Sequence, residues 1–233
     1  MTKEEFYKKL KEIKIELNPL QKEQFENYYK FLNEYNNHTN ITAITNKEDV
    51  YLKHFYDSAL LATTIDFNKV TNLLDIGCGA GFPGIVIKIL YPHINLTLLD
   101  SNNKKTKFCE YIIKELDLKD VVIINKRAED YIENKREYFD VVTARAVKNL
   151  NILNELAIPY VKLNGYFIAM KSSIDNELKE SMNGINILGA KYINTISITK
   201  DILGLRNFVI IEKLKETEKK YPRNYNNIIK KPL

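Results

Sequence analysis

Apolar positions recur at helical spacing over the first quarter of the chain and as short runs after it. Phe6, Leu10, Ile13 and Leu17 fall three or four residues apart, and Asn18-Pro19 interrupts the pattern. A second stretch runs through Leu20, Phe25, Tyr28, Phe31, Leu32 and Tyr35. The polar block Asn36-Asn37-His38-Thr39-Asn40 predicts a turn. A third stretch begins near Lys47 and carries Leu52, Phe55, Tyr56, Ala59 and Leu60. Residues 3–67 are therefore expected to be helical.

From residue 71 the period changes. The spacing predicts strands at 72–76, 96–100, 121–125, 139–144, 166–170, 190–198 and 208–214. Helices are predicted between them at 83–91, 103–117, 150–162 and 174–183. Such alternation means an α/β fold, a parallel sheet with helices on both faces. The last two strands are joined by residues 200–206, too few for a helical crossover, so they should form a hairpin. The expectation is a seven-stranded, mostly parallel sheet closed by a C-terminal hairpin. Its segments are a helical extension (1–67), the α/β domain (68–214) and a tail (215–233).

Composition narrows the class. The chain has 233 residues, 45% hydrophobic and 28% charged, which excludes wholesale disorder. Cys78 and Cys109 match no zinc spacing and cannot make a disulfide scaffold, so a reducing compartment and no metal are expected. The first residues are charged throughout, with no apolar signal segment, and no run approaches the roughly 18 apolar residues of a membrane span. A soluble, cytoplasmic protein that does not enter a membrane is expected.

The net charge of +5 is unevenly placed. Residues 213–233 hold seven basic and two acidic side chains, a surplus of +5 that equals the whole. A basic, Tyr- and Asn-rich end fits contact with a polyanion such as nucleic acid, or a solubilising tail. Only five of the 35 basic residues are Arg, so each Arg is the more deliberate choice.

The main chemical signal is Leu73-Leu74-Asp75-Ile76-Gly77-Cys78-Gly79-Ala80-Gly81-Phe82-Pro83-Gly84. It ends the first strand and opens a helix, at the sheet edge where open α/β folds bind ligands. Glycines let a ligand approach the backbone, and a helix start offers free N–H groups to an anionic group. Gly79, Gly81 and Gly84 also satisfy the dinucleotide spacing, a weak match alone. Asp100 closes the second strand, where a carboxylate can accept ribose hydroxyls of NAD or of an S-adenosyl ligand. The closing hairpin favours the S-adenosyl reading, because it matches the seven-stranded methyltransferase sheet. Asp75 would then organise the glycine loop or meet the ligand's amino group.

Taken with Arg127-Ala128-Glu129 and Ala144-Arg145-Ala146, these motifs resemble the bacterial ribosomal RNA small subunit methyltransferase G family, or glucose-inhibited division protein B. Asn40-Ile41-Thr42, Lys53-His54-Phe55-Tyr56-Asp57-Ser58, Ala169-Met170-Lys171, Gly204-Leu205-Arg206 and Tyr221-Pro222-Arg223 resemble further family elements. The resemblance runs from about residue 20 to the end. It implies a Rossmann-like class I fold and methyl transfer from S-adenosyl-L-methionine to N7 of a guanine in 16S ribosomal RNA. The implied partner is small-subunit ribosomal RNA or the ribosomal subunit; separately, the protein is expected to be a monomer. Family cofactor-binding positions carry over to Gly77, Phe82, Ala128, Glu129 and Arg145, beside Asp75, Gly79, Gly81 and Asp100 from the loop itself. The chain departs from the family in Ala80 for Pro, Lys53 for Arg, and a tail without the Gly-Thr-Pro turn.

The residues agree with that chemistry. Guanine N7 carries an exposed lone pair and needs no deprotonation, so alignment can supply much of the catalysis. The stretch after the fourth strand reads Thr143-Ala144-Arg145-Ala146, without the Pro-Pro-Tyr pattern that positions an exocyclic amine. Neither cysteine stands in the context of a covalent pyrimidine mechanism, and both read as space-filling residues. Arg145 ends the fourth strand and Lys171 the fifth, on the ligand edge; both are candidate catalytic residues, with a solvated strand end the alternative for Lys171. RNA contacts are expected from Lys53, His54, Arg206, Lys219, Lys220, Arg223, Lys230 and Lys231. His54 and Asp57 lie three apart and would share a helix face.

Overall fold

Two reciprocal caps begin the chain's architecture. Thr2 accepts a hydrogen bond from the Glu5 N–H while Glu5 accepts one from the Thr2 N–H, and this box opens α1 (Lys3–Glu12). Asn18 and Gln21 repeat the arrangement at the start of α2 (Pro19–Thr39), with Pro19 in the first turn. The structure, a computed structural model, describes every residue except Ala146, Asp175, Asp201 and Ile202, and also omits the side chains of Asn134 and Lys200.

The polar block expected to turn instead continues α2 to Thr39. Asn36 is buried, and its side-chain carbonyl accepts the Thr42 N–H at 2.9 Å, so the block fastens the next segment to the helix. The reversal comes at Asn40, whose φ of 51° is left-handed. Beyond it, α3 (Lys47–Val50), a π-helical turn (Tyr51–Tyr56) and α4 (Asp57–Ala59) run on as one helical stretch. Single π-turns are uncommon and concentrate at functional sites; this one carries Lys53 and His54.

Seven strands follow: β1 (Asn72–Ile76), β2 (Asn95–Leu99), β3 (Val121–Ile124), β4 (Phe139–Arg145), β5 (Val161–Lys171), β6 (Ala190–Lys200) and β7 (Gly204–Lys213). They form one sheet in the order β3-β2-β1-β4-β5-β7-β6. Neighbours from β3 to β5 are parallel, while β7 runs antiparallel to both β5 and β6. The predicted parallel sheet and closing hairpin are both present; of the hairpin link, residues 201 and 202 lie outside the described residues. Between the strands come α5 (Gly84–Leu90), α6 (Asn103–Glu115), α7 (Ala128–Tyr131), α8 (Leu150–Ala157) and α9 (Glu177–Ile187), and α10 (Tyr225–Lys230) ends the fold.

Two expectations shift. The helix expected over 150–162 stops at Ala157, because Pro159 cannot donate to it, and a 3-10 turn leads into β5 at Val161. There Phe139 pairs with Val161 but Val141 pairs with Tyr166, so the residues between bulge out of the ladder. The helix expected over 174–183 lies at Glu177–Ile187, and residue 175 of that expectation is outside the described residues.

The sheet alternates its side chains between two cores. Leu73, Val86 and Leu98 pack on one face with Phe6, Phe25, Tyr28 and Phe55 of the N-terminal helices. Leu74, Val142 and Phe167 pack on the other with Tyr221 and Ile228 of the C-terminal segment. Both chain ends are thus built into the cores that hold the sheet. Because β1 has β2 on one side and β4 on the other, the crossovers leave in opposite directions and open a crevice at the strands' carboxyl ends.

Candidate active site

The crevice is lined first by the turn after β1. Gly77 has a φ of 68° and Gly81 one of 89°, a left-handed backbone that branched side chains resist. A Cβ on Gly77 would come within 2.8 Å of Val147, and one on Gly81 within 2.3 Å of Ile85. Asp75 is fully buried beneath the turn and accepts the Gly84 N–H at 2.8 Å. Burial pushes its pKa up to about 7, against the pull of that N–H. One oxygen of the carboxylate is thus bonded into the loop, and the other has no hydrogen-bond partner among the described residues. Asp100, at the end of β2, accepts the Gly79 N–H at 3.0 Å and the Asn102 N–H at 2.8 Å, tying the loop to its neighbour strand.

Three cavities adjoin along this edge. The first, about 160 Å³, is lined by Gly77, Asp100, Ala128, Glu129 and Tyr225 among others. The second, about 190 Å³, shares Gly77 and adds Thr42, Gly79, Phe82 and Arg145. The third, about 370 Å³, shares His54 and Arg145 with the second and is walled by Asp57, Met170, Lys171 and Arg206. Most sequence-predicted cofactor residues therefore meet in the first two cavities, and the candidate catalytic pair in the third. Ala146, which completes one sequence motif, lies outside the described residues.

The N-terminal helices supply the outer wall. Phe82 is stacked between Tyr28, at a centroid distance of 5.2 Å, and His54, at 4.5 Å, with each of those rings within 16° of parallel to Phe82. The Tyr28 hydroxyl donates to the Ala80 carbonyl at 2.5 Å, pinning the loop. Burial, with Arg145 alongside, drives the His54 pKa down to about 3, so the imidazole is neutral. Its Nδ1 faces Nη2 of Arg145 at 3.3 Å and must accept, which assigns the proton to Nε2 and a hydrogen bond to Thr42 Oγ1 at 3.1 Å.

Arg145 is the hub. Its Nη1 donates to the Lys53 carbonyl at 3.1 Å and to Asp57 Oδ2 at 3.0 Å, and its guanidinium lies 5.4 Å from the Phe82 ring centroid. Arg206 Nε donates to the other Asp57 oxygen at 2.6 Å. One buried carboxylate thus fixes two guanidinium groups at the cavity wall. Lys171 Nζ donates to the Lys148 carbonyl and pairs with Glu177, each at 2.8 Å. Lys53 also lines the third cavity, and its ammonium pairs with Asp49 at 3.0 Å, the two side chains being 43% and 44% exposed.

The tail residues divide. Lys219, Lys220, Lys230 and Lys231 are exposed, with Lys220 paired to Glu218. Arg223, also expected to contact RNA, is engaged within the fold. Its Nε and Nη2 donate to the fully buried Glu155 at 2.8 and 2.6 Å, a bidentate structural pair. Lys213, whose charge counts in the basic surplus, is also buried, against Glu137. Sequence reasoning missed Asp57 as the arginine anchor, Tyr28 as a loop clamp, and Tyr225 as a cavity wall. The only local signal among these was the spacing of His54 and Asp57.

This sheet order, with one reversed strand and a glycine loop facing an acid on the next strand, defines a class I methyltransferase. Solved structures share the fold: a putative O-methyltransferase from Klebsiella pneumoniae superposes with a TM-score of 0.59 over 90% of this chain and 96% of its own, at 12% identity. M. jannaschii TYW2 in complex with AdoMet gives 0.51 over 61% of this chain and 69% of its own, at 16% identity. The family model for GidB, rRNA small subunit methyltransferase G, matches residues 21–219, and the chain belongs to that family. A Staphylococcus epidermidis ribosomal RNA small subunit methyltransferase G is 48% identical over 97% of this chain and 95% of its own length. A Bacillus velezensis relative of the same name is 46% identical over 100% of this chain and 99% of its own.

The enzyme is accordingly S-adenosylmethionine-dependent, and the residues fit that cofactor. Carboxylates of Asp100 and Glu129 line the cavity beside a backbone-rich glycine turn, a donor and acceptor set suited to a nucleoside's hydroxyls and amine.

Proposed function

We propose that this chain methylates N7 of a guanine in 16S ribosomal RNA, with the cofactor along the glycine loop and the base in the cavity walled by Arg145, Lys171 and Arg206. The observation that carries this reading is that the loop cavity and the cationic cavity meet at His54 and Arg145. Bound S-adenosylmethionine supplies an electrophilic methyl group. The chain's own task is to align the base and stabilise charge.

Asp100 and Glu129 accept from the nucleoside, with Gly77, Gly79, Gly81 and Ala128 giving close backbone approach and Asp75 holding the loop. Phe82, clamped between Tyr28 and His54, keeps its face fixed. Arg145 and Lys171 offer donors to guanine O6, leaving the N7 lone pair free to attack. The neutral His54 accepts from Arg145 and so orients it without competing as a cation. No general base is required at N7. Arg206, Lys53 and the exposed tail lysines 219, 220, 230 and 231 face phosphates. The chain works as a monomer in the cytoplasm, on small-subunit RNA.

The test is to map N7-methylguanine in small-subunit RNA from cells with and without this gene, then restore it with purified enzyme, S-adenosylmethionine and unmethylated subunits. Unchanged N7 methylation on deletion would overturn the assignment.

A further inference from the structure

We propose that the C-terminal segment is part of the cofactor site, with Tyr225 as the residue that closes its adenosine end. This rests on the reading of the glycine-loop trough as the S-adenosylmethionine site. Tyr225 lines the same cavity as Gly77, Asp100, Ala128 and Glu129 although it lies 96 to 148 residues beyond them in sequence.

Its ring is held rather than free. The Arg127 guanidinium carbon sits 3.9 Å from the Tyr225 ring centroid, a cation–π contact. The same guanidinium donates from Nε to Glu129 Oε1 at 2.5 Å, so Glu129, Arg127 and Tyr225 form one tier. Glu129 is itself nearly buried, at 8% side-chain exposure, although it stands at a cavity mouth. Each member therefore fixes the next, and an aromatic wall is in place before a ligand arrives.

The helix bearing Tyr225 is locked from both sides. Immediately before it, Arg223 donates from its backbone N–H and Nε to Glu155 Oε1, both at 2.8 Å. Beyond it, the Lys231 carbonyl accepts from Arg223 Nη2 at 3.0 Å. Ile228, on the inner side, is wholly buried. Besides packing the core, these contacts fix where position 225 meets the cavity. An aromatic ring beside the carboxylates of Asp100 and Glu129 suits a purine nucleoside, whose base can stack and whose hydroxyls can donate, and the Arg127 charge next to the ring is already paired with Glu129.

Calorimetry on the full chain tests this, with S-adenosylhomocysteine and adenosine as probes. Tyr225→Ala should weaken S-adenosylhomocysteine binding roughly tenfold, within the range of one lost aromatic–base contact. Adenosine should weaken by the same factor, because the lost contact lies at that end. Tyr225→Phe should bind as wild type. Tyr225→Leu, which keeps bulk for packing, should behave as the alanine variant, and its melting temperature checks that α10 remains docked. Wild-type affinity in a folded Tyr225→Leu overturns the proposal. So does a loss seen with S-adenosylhomocysteine but not adenosine, since the ring would then act at the other end. Asp100→Asn separates the two readings: if it weakens the homocysteine ligand while the Tyr225 variants do not, only the role of Tyr225 fails. If Asp100→Asn also binds normally, the trough itself is wrongly assigned.

Discussion

Asp57 holds Arg145 at 3.0 Å across 88 residues of sequence, and its second oxygen takes Arg206 at 2.6 Å. The carboxylate is 6% exposed, while the two arginines keep 17% and 25% of their side-chain surface. A helix of the N-terminal extension thereby sets the position of a guanidinium on the sheet edge. Asp57→Asn removes the countercharge and keeps the shape. Breaking a buried pair costs about 3–5 kcal/mol, and partial solvation of the arginines should lower this to about 2 kcal/mol. Single-turnover methylation should fall at least tenfold. Urea denaturation and rapid-quench assays read both, and a wild-type rate would show that the anchor does not govern transfer.

Arg145→Ala should leave the fold intact and reduce single-turnover transfer by about a hundredfold, the scale of one lost preorganised donor. Arg145→Lys should recover little of it. A lysine cannot meet Asp57, the Lys53 carbonyl and His54 in the planar arrangement that the guanidinium uses. Full rescue by lysine would mean that charge alone is needed at this position.

The sheet was legible because its signals are local. Apolar runs, turn residues and Gly77-x-Gly79-x-Gly81 each lie within a dozen residues, and all seven strands follow from them. Boundaries failed where tertiary contacts override propensity: Asn36 reads as a turn former but is buried and bonded to Thr42. The site's supporting pairs were hidden for a different reason. Asp57 with Arg206 spans 149 residues and Arg223 with Glu155 spans 68, and neither separation leaves a periodic trace. A basic tail also looks uniform in sequence, whereas burial splits it into structural and solvated cations.

His54 should impose a pH dependence on stability. Its folded pKa is about 3, lowered by burial and by Arg145, against roughly 6.5 for a free histidine. Between those values the unfolded chain binds a proton that the folded chain refuses. Stability from this residue is therefore present above about pH 6.5 and is lost as pH falls towards 3, by roughly 1.4 kcal/mol per unit. Asp75, raised to about 7, acts in the opposite sense over roughly pH 4–7, since there the folded chain takes up the proton. Comparison with His54→Gln cancels the Asp75 contribution. The wild type should lose stability relative to the variant as pH drops from 7 to 5. A stability difference constant with pH would show the imidazole to be solvated.

Arg223 and the exposed tail lysines should separate in an RNA-binding assay. Arg223 donates two charge-assisted hydrogen bonds to a carboxylate that is wholly buried. Arg223→Gln leaves that charge without its partner and should cost about 3 kcal/mol of stability. It should leave the salt dependence of RNA affinity unchanged, because the guanidinium is already engaged. Lys219, Lys220, Lys230 and Lys231 are solvated, and the Lys220 pair with Glu218 is exposed on both sides; such pairs hold a cation only weakly. Each lysine that neutralises an RNA phosphate releases counterions, and contributes about 0.7–0.9 to the slope of log affinity against log salt. Replacing all four with Gln should lower affinity for small-subunit RNA and flatten that slope by one to three such contacts, while S-adenosylhomocysteine binds as before. All four lysines are exposed, and Lys220 lies 5.2 Å from the Tyr221 ring centroid as a surface cation–π contact, a weak one at an exposed site, so the melting temperature should fall only slightly. Filter binding between about 50 and 200 mM salt measures the slope, a range over which several contacts change affinity by orders of magnitude. An unchanged slope in the quadruple variant would leave these lysines as solvation of the tail.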